Sequence, residues 1–435
     1  MIRSLNLKQL NLSDKILIFL SLFLIANLTR LLLTKKITYF FVDDWSIFKD
    51  FSTSASGLNM TNLAPYNGHS LIVIRILYIF ITKTMGIQIS TFSIILTILL
   101  LATVFFLARN ASRACTADNK NFNFIMVVIV CLNLNQYQNI TMPICWSWAI
   151  CLIALIWTYL LTSQDINIYR GIALMVLSLI GPLTLSFGFI IPGFLILKLA
   201  YEINQNRHRR GNFVFLAYLI FSTSLAYKVA ILNSATEYGG FTNPIRILTH
   251  PINSIIFLLT SIGSPFTPAS RFSVTIASVF GVIILLLFMR VLRTRKSLST
   301  FLSSDGLIAI GIIFHAIHML GRFDGSWNSI LIAAQPRYST GAILFVLGIF
   351  INLMRSGTKG TKVFITILLG FTILSGAKTA EDFSTVRHNQ SVQIDECISI
   401  YSLASSQCEM LLYPGENILS KTEFKKALAY LESVS

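Results

Sequence analysis

The chain has 435 residues, of which 54% are hydrophobic and only 12% charged, and its mean hydropathy is +0.71. Soluble domains carry about a quarter charged residues. This balance excludes a soluble protein, and apolar runs of roughly 15–20 residues recurring along the chain specify a polytopic α-helical membrane protein. The net charge of +16 is read as lysines and arginines in cytoplasmic loops facing anionic headgroups, in place of a nucleic-acid surface.

Residues 1–15 are polar, carry Arg3, Lys8 and Lys15, and are expected in the cytoplasm. A first span over 16–34 leads outward. No small-residue cleavage site follows it, so it reads as a retained anchor. Residues 35–88 then form a large external loop. Within it Phe41, Trp45, Phe48 and Phe51 recur at helical spacing, with Asp43, Ser46, Lys49 and Asp50 off that stripe. This predicts an amphipathic helix lying on the membrane surface. The apolar piece 70–86 is short and interrupted by Arg75 and Lys83.

Further spans are expected at 89–108, 122–134, 145–162, 171–184, 187–200, 213–231, 272–290, 305–320, 341–354 and 363–377. A second short apolar piece, 252–264, lies between Pro251 and Pro265. Treating 70–86 and 252–264 as re-entrant or interfacial puts the basic clusters on one side. Those clusters contain Arg109 and Arg113, Arg207 to Arg210, Arg290 to Lys296, and Arg355 to Lys362. Basic loops stay inside, so the expectation is an all-α membrane protein of about eleven transmembrane helices, N-terminus in and C-terminus out. Residues 1–377 form its membrane domain and 378–435 a small extracytoplasmic helical tail.

There are six cysteines. Cys115, Cys131, Cys145 and Cys151 lie in or near spans or their loops; Cys131, Cys145 and Cys151 read as small apolar residues. Cys397 and Cys408 share the external tail, where disulfides persist. On one continuous helix their Cα atoms would stand about 16 Å apart, whereas a bridge needs under about 7 Å. A disulfide therefore requires a turn between them, for which Ser405–Ser406 is the candidate.

In this topology four polar clusters fall on the external side. The first holds Asp43, Asp44, His69 and Arg75; the second Gln136, Gln138 and Asn139; the third His315, His318, Arg322 and Asp324; the fourth Arg337 and Tyr338. His315, His318 and Arg322 are spaced to share one helix face. Ionisable groups at membrane depth usually face a cavity, and the arginine fork matches phosphate oxygens. Together the clusters suit a substrate with a phosphate to bind and a hydroxyl to activate. Each also has a plain structural reading: a solvated helix cap for Asp43–Asp44, a turn for Gln136–Asn139, headgroup anchoring for Arg322 and Arg337.

At these residues the chain resembles the GT-C superfamily of membrane glycosyltransferases. The features are the acidic pair Asp43–Asp44 before Trp45, the Asn67–Gly68–His69 element before an apolar helix, Gln136 to Asn139 ahead of Trp146 and Trp148, Gly321–Arg322, and Arg337–Tyr338. Gly68 and Ser70 stand where related sequences often carry an acidic residue and an arginine. Within the superfamily the chain looks most like the phage-type glucosyltransferases that modify bacterial O-antigen and convert serotype.

The resemblance implies an inverting transfer of a sugar, glucose in those relatives, from a polyprenyl-phosphate donor to a hydroxyl of a lipid-linked glycan. The implied place is the periplasmic face of the bacterial inner membrane, with a flippase and a polyprenyl-phosphate glucosyltransferase acting upstream. It assigns base catalysis to Asp43 or Asp44 and donor-phosphate binding to Arg75, His315, His318, Arg322, Arg337 and Tyr338. Trp45, His69, Gln136 and Asn139 would contact acceptor or sugar. No P-loop or GxGxxG is present for a nucleotide. No cofactor is required, and a divalent metal is optional. An O-antigen polymerase and a lipid or sugar transporter are the competing classes.

Overall fold

The computed structural model describes residues 12–37, 51–54, 57–60, 69–85, 89–163, 166–205, 209–229, 245–267, 273–294, 306–355, 357–401, 405, 407–408 and 411. In chain order the elements are α1 (Leu12–Thr34), a hairpin of β1 (Phe51–Ser54) and β2 (Gly57–Met60), α2 (Ile72–Met85), α3 (Ile89–Arg113), α4 (Ala117–Cys131), α5 (Tyr137–Thr141) and α6 (Trp146–Thr162). They continue with α7 (Ile168–Thr184), α8 (Ile190–Asn204), α9 (Arg209–Tyr227), α10 (Ile245–Thr249), α11 (Pro251–Gly263) and α12 (Ser273–Thr294). Last come α13 (Gly306–Arg322), α14 (Trp327–Ala333), α15 (Ser339–Arg355) and α16 (Lys359–Ile400).

Six of these segments are long and apolar enough to cross a membrane: Asp14–Thr34, Ser90–Arg113, Pro143–Thr162, Ser186–Asn204, Ser273–Thr294 and Lys359–Ile400. Their surfaces show why. Along α1, Leu17, Leu24, Leu28 and Leu31 are buried, yet Phe19, Leu22 and Leu33 on the remaining faces are exposed. Exposed phenylalanine and leucine recur at mid-helix on α9, α12 and α16. Soluble monomers do not expose apolar surface on this scale, whereas helices apolar all round suit lipid.

The core is built around α15, whose residues from Ser339 to Met354 are all buried. It packs against α13 through small residues. A Cβ added to Gly341 would stand 2.0 Å from the Phe314 ring, and one on Gly348 2.7 Å from Ile308. Membrane helices associate through such close contacts because lipid offers no hydrophobic drive between them. The C-terminal carbonyl of Met354 is satisfied by Asn119 Nδ2 at 2.9 Å, so the end of α15 is tied to α4.

Three elements depart from the sequence expectations. Phe51, the last member of the apolar stripe, begins a strand, with Phe51 opposite Met60 and Ser54 opposite Gly57. The proposed helix ahead of it, including Asp43, Asp44 and Trp45, lies outside the described residues. The expected break at residue 377 is absent, because α16 runs unbroken for 42 residues. At 1.5 Å per residue it is about 63 Å long, twice the roughly 30 Å hydrocarbon thickness. Its polar half is held by α1: Arg30 pairs with Glu381, and His388 Nδ1 bonds the Lys36 carbonyl at 3.0 Å. The chain turns only after Ile400, and Cys397 and Cys408 are disulfide-bonded with Cα atoms 5.7 Å apart.

The turn at Ser186–Phe189, between α7 and α8, depends on two glycines. A Cβ on Gly188 would lie 1.9 Å from the Gly181 carbonyl carbon and oxygen. Backbone cannot yield as a side-chain tip can, so Gly188→Ala is expected to cost about 1–3 kcal/mol or more. The thermal midpoint of purified protein checks this, with Gly370→Ala, whose Cβ meets nothing within 4 Å, as the control that stays unchanged.

Candidate functional site

One end of the bundle encloses a cavity of about 140 Å³ lined by His69, Leu71, Ile144, Cys145, Ser147, Trp148, Leu185, Arg322, Ile332, Arg337 and Tyr338. At roughly 30 Å³ per water it has room for a small anion and part of a ring. Residues separated by up to 269 positions meet here because several helix ends converge: the start of α6, the end of α7, the end of α13 and the turn Pro336–Tyr338 ahead of α15.

The entry to α2 presents His69. Leu71 has φ of 47°, a left-handed conformation that a non-glycine residue adopts at a cost, and it bends the chain sharply before α2. Ser70 Oγ anchors the bend by donating to the Pro182 carbonyl at 2.8 Å. That carbonyl stands in the last turn of α7, where no intrahelical N–H reaches it. Arg75 is 1% exposed and its Nη1 donates to the Ser70 carbonyl at 3.4 Å. Arg75 thus braces the bend and is not among the residues lining the cavity.

The His69 tautomer follows from its partners. Arg322 Nη2 lies 2.5 Å from His69 Nε2, and a guanidinium only donates. Nε2 therefore carries no proton, and Nδ1–H donates to Ser186 Oγ at 3.0 Å. Burial, then the charges of Arg322 and Arg337, hold the imidazole well below its ordinary 6.5. The unfolded chain takes up this proton as pH falls through 6.5 and the folded one does not. The His69 contribution to stability is thus fully present above that pH and declines below it. Thermal midpoints measured from neutral to acid pH should fall more steeply for the wild type than for His69→Asn, by up to one proton's worth of slope. Equal slopes would remove the buried neutral imidazole.

The two arginines arrive differently. Arg322 is the last residue of α13, where a cation suits the helix dipole. Arg337 sits on the turn Pro336–Tyr338, with its guanidinium carbon 5.4 Å from the Tyr338 ring centre. Gln136 and Asn139 hold that turn from below. Asn139 Nδ2 donates to the Arg337 carbonyl at 3.2 Å and to Thr340 Oγ1 at 2.7 Å, and Thr340 Oγ1 donates to Gln136 Oε1 at 3.0 Å. Both amides are buried and absent from the cavity lining. The expectation that they touch substrate gives way to a supporting position beneath Arg337.

His315 and His318 likewise stand behind the cavity wall. Both are buried, and each Nδ1 bonds Ser261 Oγ of α11 at 2.9 Å. His318 stacks on Tyr338 with ring centres 4.8 Å apart. Their expected contact with a donor phosphate is replaced by a packing contact with Tyr338, which does line the cavity. Trp148 completes the aromatic wall, 5.1 Å from Tyr338 and 4.8 Å from Phe187. Ser186 and Ser261 were not singled out from the sequence; a serine in a turn or on an apolar helix carries no local signal of its partner.

Among the described residues, no group of three or more His, Cys, Asp or Glu converges as a metal site. The arrangement offers two guanidinium forks, a neutral imidazole, hydroxyls and two large aromatic faces. That set can bind an anion through charge-assisted hydrogen bonds and stack a ring beside it. Compared with protein-family models, curated proteins and solved structures, the chain matches none.

Proposed function

We propose that this protein is a membrane glycosyltransferase of GT-C type that moves a sugar from a polyprenyl-phosphate donor to a hydroxyl of a lipid-linked glycan, with inversion. The observation that carries the reading is the convergence of Arg322, Arg337 and neutral His69 on one cavity beside Trp148 and Tyr338. In this reading Arg322 and Arg337 bind the donor phosphate and stabilise it as it leaves. The aromatic wall carries the sugar, and a carboxylate of Asp43 or Asp44 takes the acceptor proton.

Sidedness follows from charge. Arg109 and Arg113, Arg290 and Arg293, and Arg355 end helices that run away from the cavity, so basic-inside placement sets the cavity on the outer face. With α2 and α11 short of a full crossing, α1, α3, α4, α6, α7, α8, α9, α12, α13, α15 and α16 make eleven spans. The proposed setting is a bacterial inner membrane with O-antigen as acceptor and glucose as the sugar.

The test is reconstitution of purified protein in vesicles with radiolabelled polyprenyl-phosphate glucose and a lipid-linked glycan. Label covalently joined to the glycan supports the proposal. Label that crosses the bilayer without a new bond indicates a transporter. Polymerisation of lipid-linked repeats without use of the monosaccharide donor indicates a polymerase.

A further inference from the structure

The opposite end of the bundle carries a second cavity, larger than the first at about 270 Å³. Its described lining is Phe106, Arg109, Asn110, Arg113, Trp157, Leu160, Leu161 and Arg170. Trp148 of α6 lines the first cavity and Leu160 the second. Twelve residues of helix separate them by about 18 Å, so the two cavities are distinct.

Arg109 and Arg113 stand four residues apart on α3 and share a face. Arg170 enters from the first turn of α7, which is capped by Asn167 Oδ1 accepting from the Arg170 N–H at 3.0 Å. The walls are fixed to one another: Asn110 Nδ2 donates to Ser163 Oγ at 3.2 Å, and Trp157 Nε1 donates to Thr103 Oγ1 at 3.2 Å. Three guanidiniums thus surround one space whose described lining contains no carboxylate. Like charges brought together repel unless an anion joins them.

The rest of the lining is apolar. Phe106 and Trp157 pack with ring centres 5.7 Å apart, and Leu160 and Leu161 continue the wall. Next to the cavity, Ile168 and Tyr169 are 73% and 80% exposed and Phe105 is 52% exposed. Aromatic side chains placed so mark the membrane–water boundary. A charged mouth joined to an apolar wall that opens to lipid fits an amphiphile better than a free ion.

We infer that this cavity binds an anionic membrane phospholipid, its phosphate between the forks of Arg109, Arg113 and Arg170 and an acyl chain along Phe106. The site lies on the basic face, where anionic headgroups are attracted to juxtamembrane arginines. It is independent of the glycosyltransferase reading and stands or falls separately from it.

The experiment offers purified full-length protein equal amounts of phosphatidylglycerol and phosphatidylcholine and reads the bound ratio by native mass spectrometry. The wild type retains phosphatidylglycerol preferentially. Arg109→Gln and Arg113→Gln each lower that preference about fivefold, and Arg113→Lys, which keeps charge but loses the fork, lowers it less. If the double variant fails to fold, Arg170→Gln carries the same test with α3 intact. Equal retention of both lipids by the wild type overturns the proposal, as does an undiminished preference in the folded variants. Displacement of phosphatidylglycerol by inorganic phosphate, with equal thermal protection, replaces the lipid with a free anion and overturns it too.

Discussion

Replacing Arg322 or Arg337 by alanine is expected to abolish sugar transfer while leaving the protein in the membrane. Both guanidiniums line the same cavity and both sit at the ends of helices or turns, so neither truncation opens the packed core around α15. If the departing group is a lipid phosphate, its charge grows as the glycosidic bond breaks, and donors fixed beforehand around that charge act in the transition state. Removing one such donor costs about 10²–10³ in rate. The lysine variants separate charge from geometry: an ammonium cannot make the bidentate contact, so they should retain partial donor use. Arg322→Ala has a second consequence, since it deletes the donor to His69 Nε2 and frees that imidazole to change tautomer. Donor kinetics and membrane abundance measured side by side check this, and normal donor kinetics in both alanine variants would remove the phosphate role.

The membrane character was legible because it needs only length and apolarity. Runs such as Ile89–Arg113 and Ser273–Thr294 declare themselves without any tertiary information. The end of α16 was not legible, because the drop in hydropathy at Lys378 marks where the helix leaves an apolar surrounding and not where it stops. Residues such as Ala380, Glu381 and Gln390 are compatible with continued helix, and the contacts with Arg30 and Lys36 that hold it come from the far end of the sequence.

The site divides in the same way. His69, Arg322, Arg337 and Tyr338 could be picked out as polar residues at helix ends, and the structure brings them around one cavity. Gln136, Asn139, His315 and His318 carry the same sequence signature but lie one layer behind it. Whether a buried polar side chain faces a cavity or a neighbour depends on its hydrogen-bond partners, here Thr340 and Ser261, and neither partner is encoded nearby. Arg75 shows the limit plainly: an arginine in an apolar helix reads as functional, yet its described contact is with a backbone carbonyl five residues back.

Of Asp43→Asn and Asp44→Asn, one is expected to yield a protein that inserts, folds and binds donor but transfers almost no sugar. The two carboxylates lie outside the described residues, in the external loop that leads to His69. The argument for them is chemical. Transfer to a hydroxyl needs a group to accept its proton, His69 is occupied by Arg322 and Ser186, and the described lining of the cavity supplies no carboxylate. A base must therefore come from elsewhere in the chain, and an aspartate on this loop that stays ionised can serve without a shifted pKa. Asparagine keeps size and hydrogen bonding but removes the proton acceptor, so the loss should reach the general-base factor of about 10²–10⁴. Asp43 is the first choice, because it lies off the stripe formed by Phe41, Trp45 and Phe48. The measurement is single-turnover transfer alongside equilibrium donor binding for each variant. Near-normal transfer in both would assign the pair to capping and solvating the loop, and would move the search for the base to another external carboxylate such as Asp324.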